Sequence, residues 1–209
     1  MAFTLYQIKP RFQNLLRPLV RRLAAAGVSA NQVTLAACAV SLVFGLGLYI
    51  HPEPRLFALM PLWMVVRMAM NAIDGMLARE HHQASRLGAF LNEICDVLAD
   101  AALFLPLASI APFDPLAVGV LIVLAAVSEL TGVLGQTIGA ARRYDGPMGK
   151  SDRALLLGVL SLWIALAALP AWTAWVLPAA CLLISWNIVN RIRNGLAEAQ
   201  TRDRGAVSK

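Results

Sequence analysis

The sequence predicts an all-α integral membrane protein, with six transmembrane helices preceded by an N-terminal amphipathic helix at the membrane interface. Three observations carry this expectation. Of 209 residues, 59% are hydrophobic and 14% charged, too little polar surface for a soluble domain of this size. Apolar runs of spanning length alternate with short polar breaks. The basic residues gather on one side of the alternating spans. The net charge of +6 sits beside apolar runs, which points to anionic headgroups or phosphate-bearing substrates and away from nucleic acid.

Residues 1–32 read as a cytoplasmic leading segment. In "LYQIKPRFQNLLRPLVRRLAAAGV" the apolar Phe12, Leu15, Leu16, Leu19, Val20 and Leu23 recur at helical spacing against Lys9, Arg11, Arg17, Arg21 and Arg22. Pro10 suits a first turn and Pro18 a kink. The expectation is a helix lying on the inner leaflet. Charges interrupt its apolar residues and no cleavage-type end follows, which argues against a signal peptide.

Val33–Ile50 is an uncharged run of 18 residues, about 27 Å long as a helix and so able to cross. Further spans are expected at Leu56–Ala78, Leu87–Ala111, Leu116–Ala141, Ala154–Leu169 and Ala171–Asn190. The breaks are "HPEPR", "REHHQAS", "APFDP", "RRYDGPMGKSD" and Pro170. Such short links make neighbours antiparallel within one membrane domain, residues 33–195, followed by a basic tail, residues 196–209. If six spans alternate, 16 of the 18 Lys and Arg fall on one side, leaving Arg55 opposite and Arg67 within a span. The positive-inside rule then puts both termini in the cytoplasm, at what is expected to be a bacterial inner membrane.

Cys38, Cys95 and Cys181 lie singly in apolar runs without a CxxC pair and read as core thiols. The five tryptophans suit span packing and interfacial anchoring. Adjacent His81 and His82 would point about 100° apart on a helix and suit a solvated loop. Gly135 and Gly139 form a GxxxG step open to packing or dimerisation.

Carboxylates are costly in such a chain, yet "NAIDGMLAREHHQASRLGAFLNEICDVLAD" holds several. Asn71, Asp74, Gly75 and Ala78 fall at i, i+3, i+4 and i+7, one helical stripe. Gly88, Asn92, Asp96 and Asp100, at steps of four, make a second. Antiparallel helices joined by a short loop let these stripes face each other. The two glycines leave room between backbones, and the facing rows of oxygens suit a hard divalent cation such as Mg²⁺ or Mn²⁺.

This stretch resembles the signature of the CDP-alcohol phosphotransferases, DxxDGxxARx8GxxxDxxxD. Asp74, Gly75, Ala78, Arg79, Gly88 and Asp96 match in type and spacing, while Asn71 and Asn92 each stand at an aspartate position. "SANQVTL" is similar to the family's "TPNxLT" before the first span. The resemblance implies a six-helix membrane enzyme, often homodimeric and dependent on a divalent metal. Such an enzyme moves a substituted phosphoryl group from a CDP-linked donor to an alcohol and releases CMP, as in phospholipid synthesis. It implies metal-ligand positions at Asn71, Asp74, Asn92 and Asp96, with Asp96 also the general base. Asn31, Thr34, Asp74, Gly75, Ala78, Arg79 and Gly88 take nucleotide-contact positions, Asn31 being equally suited to cap a helix. The two asparagines remove two negative charges, which Glu93 and Asp100 are placed to restore as auxiliary acids. A second reading follows from the same departure: a nucleotide-binding membrane pseudoenzyme with a regulatory or scaffolding role.

Three further cations are candidates for the acceptor. Arg67 lies four residues before Asn71, suited either to a structural pair with an acid such as Glu129 or Asp100 or to an anionic substrate group. Lys150 and Arg153 open the fifth span beside Gly149 and Ser151, an arrangement suited to phosphate or, alternatively, to topology. Arg142 and Arg143 read as topology signals. The repeat symmetry a small transporter would show is not visible in the sequence.

Overall fold

A computed structural model describes the backbone of residues 5–207 and the side chains of residues 12–202. The charges expected of Lys9, Arg11, Arg204 and Lys209 therefore lie outside the described residues. Among those described, the chain is helical without strands: α1 (Leu5–Ala25), α2 (Ala30–Ile50), α3 (Leu59–Glu80), α4 (Arg86–Phe104), α5 (Pro115–Leu134), α6 (Lys150–Leu166) and α7 (Val176–Val207). Short 3-10 turns occupy Pro54–Ala58, Leu105–Ser109, Gly135–Ile138 and Ala171–Trp175.

Among the described residues, four stretches are long and apolar enough to cross a membrane: Ala30–Ile50, Pro54–Glu80, Pro115–Ile138 and Ala171–Arg202. The expected count of six thus finds four by length and composition. The other two candidates differ for visible reasons. Helix α4 carries Arg86, Glu93, Asp96 and Asp100 within 19 residues, and α6 has only 17 residues and opens with Lys150, Asp152 and Arg153. The third expected span also stops early, because Pro106 in the 3-10 turn cannot donate to the α-helical ladder. The GxxxG step falls beyond α5: Gly135 begins a 3-10 turn and Gly139 ends it at φ +80°, so the two glycines do not line a helix face.

The chain divides into two compact units, residues 1–43 with 62–99, and residues 44–61 with 100–209. In the first unit, Leu16, Val20 and Leu23 of α1 pack with Ala30, Val33, Ile73, Met76 and Leu77. Helix α1 runs unbroken through Pro18 and spends one stripe on protein packing, while Leu15 and Leu19 stay exposed. Ser29 and Gln32 start α2 as a reciprocal capping box: the Gln32 amide N–H donates to Ser29 Oγ at 3.2 Å, and the Ser29 N–H donates to Gln32 Oε1 at 2.9 Å. Gln83, from the link after α3, accepts the Ala30 N–H at 2.7 Å and donates to the Val28 carbonyl at 3.3 Å. Arg17 grips Glu80 with two bonds of 3.0 and 3.2 Å. Cys38 and Cys95 are buried thiols, as expected, and Cys181 in the second unit is partly buried.

In the second unit α5 packs against α7, and α6 against the turn Pro54–Ala58. Asp114 caps α5 by accepting the Leu116 N–H at 3.2 Å, with Pro115 in the first turn. The segment between α5 and α6 is tied down where glycines allow close approach. At Gly132 the Arg143 N–H donates to the carbonyl at 3.0 Å, and a Cβ there would lie 2.7 Å from the Arg143 carbonyl oxygen. Gly146, at φ +96°, leaves no room for a side chain against Asn187.

Candidate active site

The motif residues of the first unit gather on α2, α3 and α4. Asp74 is buried, and its Oδ2 accepts the Thr34 hydroxyl at 2.8 Å. Asp96 is the focus of a second set. Its Oδ1 accepts from Arg67 Nη2 at 3.2 Å and from Asn71 Nδ2 at 3.3 Å, and Arg67 Nη2 also reaches the Asp96 carbonyl at 3.2 Å. Arg67 is 6% exposed. Two donors from α3 therefore fix the orientation of the Asp96 carboxylate. The i, i+4 spacing of Arg67 and Asn71 puts both on the face that meets α4.

The motif glycines have a local reason. A Cβ at Gly75 would lie 3.0 Å from an Arg79 Nη, so the Arg79 guanidinium folds back over that bare backbone. A Cβ at Gly88 would lie 2.8 Å from Asn31 Oδ1 and 3.0 Å from Ser85 Oγ. Glycine at 88 is what admits the Asn31 side chain. The cap of α2 belongs to Ser29 and Gln32, which frees Asn31 from that alternative; the S-x-x-Q spacing was the signal for it. Ala78 packs at the edge of the α1 core cluster, and Asn92 and Glu93 are half-buried on α4.

The donor set fits a hard divalent cation in kind but not in charge. Asn71, Asp74, Asn92 and Asp96 offer amide and carboxylate oxygens, the chemistry that Mg²⁺ and Mn²⁺ prefer. Only Asp74 and Asp96 are anionic, and Asp96 already pairs with Arg67. Among the described residues no group of three or more His, Cys, Asp or Glu is placed to hold a metal.

In the second unit, Glu129 of α5 sits among three guanidiniums drawn from different elements. Arg153 Nη2 of α6 lies 2.9 Å from Glu129 Oε1, Arg191 Nη1 of α7 lies 3.6 Å from the same oxygen, and Arg142 Nη2 lies 3.5 Å from Oε2. Arg153 also approaches Asp100 Oδ2 at 3.5 Å and donates to the Met148 carbonyl at 3.2 Å. Arg191 donates to the Ser128 carbonyl. Arg153 and Arg191 are only 1% and 2% exposed. Of the acids considered for Arg67, Glu129 is thus engaged by these arginines, and an acid that Arg67 does pair with is Asp96.

Lys150 stands half-buried in the first turn of α6. The helix end beside it is satisfied internally, because Asp152 Oδ2 accepts the Gly149 N–H at 3.1 Å. Arg143 bonds Asp145 at 2.6 and 2.8 Å and Glu198 at 2.7 Å. Its guanidinium holds the Asp145 carboxyl below the usual carboxylate range. Arg142 and Arg143, read from the sequence as topology signals, also serve as structural links. Arg142 is also stacked on Tyr144, 5.0 Å from the ring centre.

Comparison with known proteins agrees with the motif. Residues 27–186 match the CDP-alcohol phosphatidyltransferase family. The inner membrane protein YnbA of Escherichia coli K12 is 47% identical over 197 residues, covering 92% of this chain and 96% of that protein. A phosphatidylinositol phosphate synthase of Mycolicibacterium smegmatis is 29% identical over 199 residues, covering 87% and 85%. Among solved structures, the Mycobacterium tuberculosis phosphatidylinositol phosphate synthase in complex with manganese and citrate superimposes with a TM-score of 0.71 at 20% identity, covering 86% of this chain and 88% of that one. The same enzyme with CDP-DAG bound gives a TM-score of 0.67 at 21% identity, covering 88% and 92%.

Proposed function

Because this chain belongs to the CDP-alcohol phosphatidyltransferase family, we propose that it moves a phosphatidyl group from a CDP-linked lipid to an alcohol and releases CMP. The observation that carries the reading is the Asp96 carboxylate. It stands at the motif's general-base position with its orientation set by Arg67 and Asn71. A carboxylate so held is positioned to take the proton of an attacking hydroxyl. Asp74, steadied by Thr34, anchors the other half of the motif. Arg79, folded over Gly75, supplies a guanidinium for a diphosphate, and Asn31 beside Gly88 supplies amide donors and an acceptor for the nucleotide.

Asn71, Asp74, Asn92 and Asp96 would hold the Mg²⁺ or Mn²⁺, with Glu93 and Asp100 as auxiliary acids. When bound, that ion neutralises charge on the pyrophosphate and on the departing CMP. Lys150, Arg153 and Arg67 are assigned to the acceptor side. The site faces the cytoplasm of an inner membrane, where the basic residues gather, in six spans and as a homodimer. The name of the Escherichia coli relative and the CDP-DAG complex of the mycobacterial enzyme support membrane and donor.

The decisive assay is CMP release by the purified chain from CDP-diacylglycerol with Mn²⁺ and a panel of alcohols, products being identified by mass spectrometry. Turnover that survives Asp96→Asn would remove Asp96 from the chemistry. The second reading, a nucleotide-binding pseudoenzyme with a regulatory or scaffolding role, is favoured by Asn71 and Asn92. It predicts saturable CDP-diacylglycerol binding with no CMP formed from any acceptor.

A further inference from the structure

We infer that Glu129 is a built-in counter-anion that withholds the Arg142–Arg153–Arg191 cluster from phosphate monoesters, so that the acceptor is an alcohol without a phosphate group. The inference deepens the proposed reaction and rests on the assignment of Arg153 to the acceptor. Three guanidiniums from the α5–α6 link, α6 and α7 converge on one carboxylate, at 2.9, 3.5 and 3.6 Å. Guanidiniums brought together in this way without an anion would repel strongly in a buried setting, so the fold requires a negative group at their centre. In this chain that group is covalent. It is carried on α5, next to Ser128, whose carbonyl accepts from Arg191 and whose hydroxyl donates to Asn187 Oδ1 at 2.8 Å.

Asn187 in turn donates to the Pro147 carbonyl at 2.9 Å, and Arg191 Nε to the Asp145 carbonyl at 3.4 Å. The three arginines are therefore fixed in a frame that already contains their anion. A phosphate dianion could enter only by displacing Glu129, and Asp100, 3.5 Å from Arg153, adds a second negative charge against it.

The fit of Glu129 is incomplete in a telling way. Two carboxylate oxygens serve three guanidiniums, and Arg153 Nε stays buried without an acceptor. A tetrahedral oxyanion offers more acceptor directions and would suit the same frame better. The cluster is thus a latent oxyanion site closed by one side chain.

The test uses the full chain in detergent or nanodiscs, with inorganic phosphate as the calorimetric probe. Wild type should show no saturable binding. Glu129→Gln should gain binding at least about tenfold tighter than any wild-type signal, the gain expected when a like charge leaves the site, and Arg153→Met in that background should abolish it. Glu129→Gln/Arg142→Gln removes one charge of each sign and serves if the single variant does not fold. Saturable phosphate binding by wild type that Arg153→Met removes would overturn the inference, as would folded Glu129 variants that gain none.

A second arm measures CMP release with glycerol against glycerol 3-phosphate. Preference of wild type for glycerol, shifting about tenfold towards glycerol 3-phosphate in Glu129→Gln, is expected; preference of wild type for the phosphorylated partner would also overturn it. If no acceptor yields CMP, the proposed reaction fails while the phosphate titration still decides the role of Glu129.

Discussion

Replacing Asn71 by Asp turns a hydrogen-bond donor into a like charge beside Asp96. In the native protein Asn71 Nδ2 donates to Asp96 Oδ1 at 3.3 Å. Two unit charges 3.3 Å apart repel by about 5 kcal/mol at an effective permittivity of about 20. Rotation of the new carboxylate, and the Arg67 guanidinium 3.2 Å from Asp96 Oδ1, relieve most of this. A residual cost of about 1–2 kcal/mol corresponds to a Tm lower by about 2–8 °C for a chain of this size. Added Mn²⁺ should reverse the sign, because the same carboxylate becomes a charged ligand. A tenfold gain in affinity adds about 1.4 kcal/mol of stabilisation at saturating ion. Thermal unfolding with and without Mn²⁺ reads both effects: the variant should melt lower than wild type in chelator and rise further with the ion. Equal Mn²⁺-induced rises in the two proteins would show that residue 71 does not touch the metal. The same titration on Asn92→Asp tests the other asparagine.

Three further outcomes follow from contacts described above. Thr34→Val keeps the side-chain shape but removes the donor 2.8 Å from Asp74 Oδ2, and should cost about 1–3 kcal/mol in chelator; an unchanged Tm would mean Asp74 does not depend on Thr34. Gly132→Val drives a side chain into the Arg143 carbonyl and should destabilise by about 1–3 kcal/mol, with protease cleavage appearing between α5 and α6; a variant as stable and resistant as wild type would contradict the packing. Asp145, held low mainly by its bond to Arg143, adds stability that is complete above its unfolded pKa of about 3.9. That stability is lost as pH falls through its lower folded value. The denaturant midpoint difference between wild type and Asp145→Asn should therefore be flat above about pH 5 and vanish in stronger acid; a difference that fades near neutrality would assign the effect to another group.

The carboxylate motif was legible because its residues are local: Asn71, Asp74, Gly75 and Ala78 share a stripe of α3, and Gly88, Asn92 and Asp96 a stripe of α4, so helical periodicity alone groups them. The arginine cluster was not legible in the same way. Glu129, Arg142, Arg153 and Arg191 come from three helices and a link, and no spacing rule joins residue 129 to residue 191. Two of those arginines therefore read as orientation signals or substrate contacts. Helix ends were missed where a 3-10 turn continued an apolar run, as at Leu105–Ser109 and Gly135–Ile138. Hydropathy does not register a change in hydrogen-bond register. The packing of α1 on Ile73 and Leu77 was hidden for a further reason, since an amphipathic stripe looks the same whether it meets lipid or protein.

Helix α7 has 32 residues, about 48 Å of rod where a bilayer's hydrocarbon core is about 30 Å thick. Its surplus length carries Glu198 and Arg202, which reach back to Ala141, Arg143 and Gly139. The last third of the helix therefore works as a strut that splints the α5–α6 connection. Shortening the chain just past Asn194 would keep Arg191 of the buried cluster yet remove Glu198 and Arg202 and so unpin the connection, and a reporter fused there would loosen the α5–α6 segment rather than merely extend the helix.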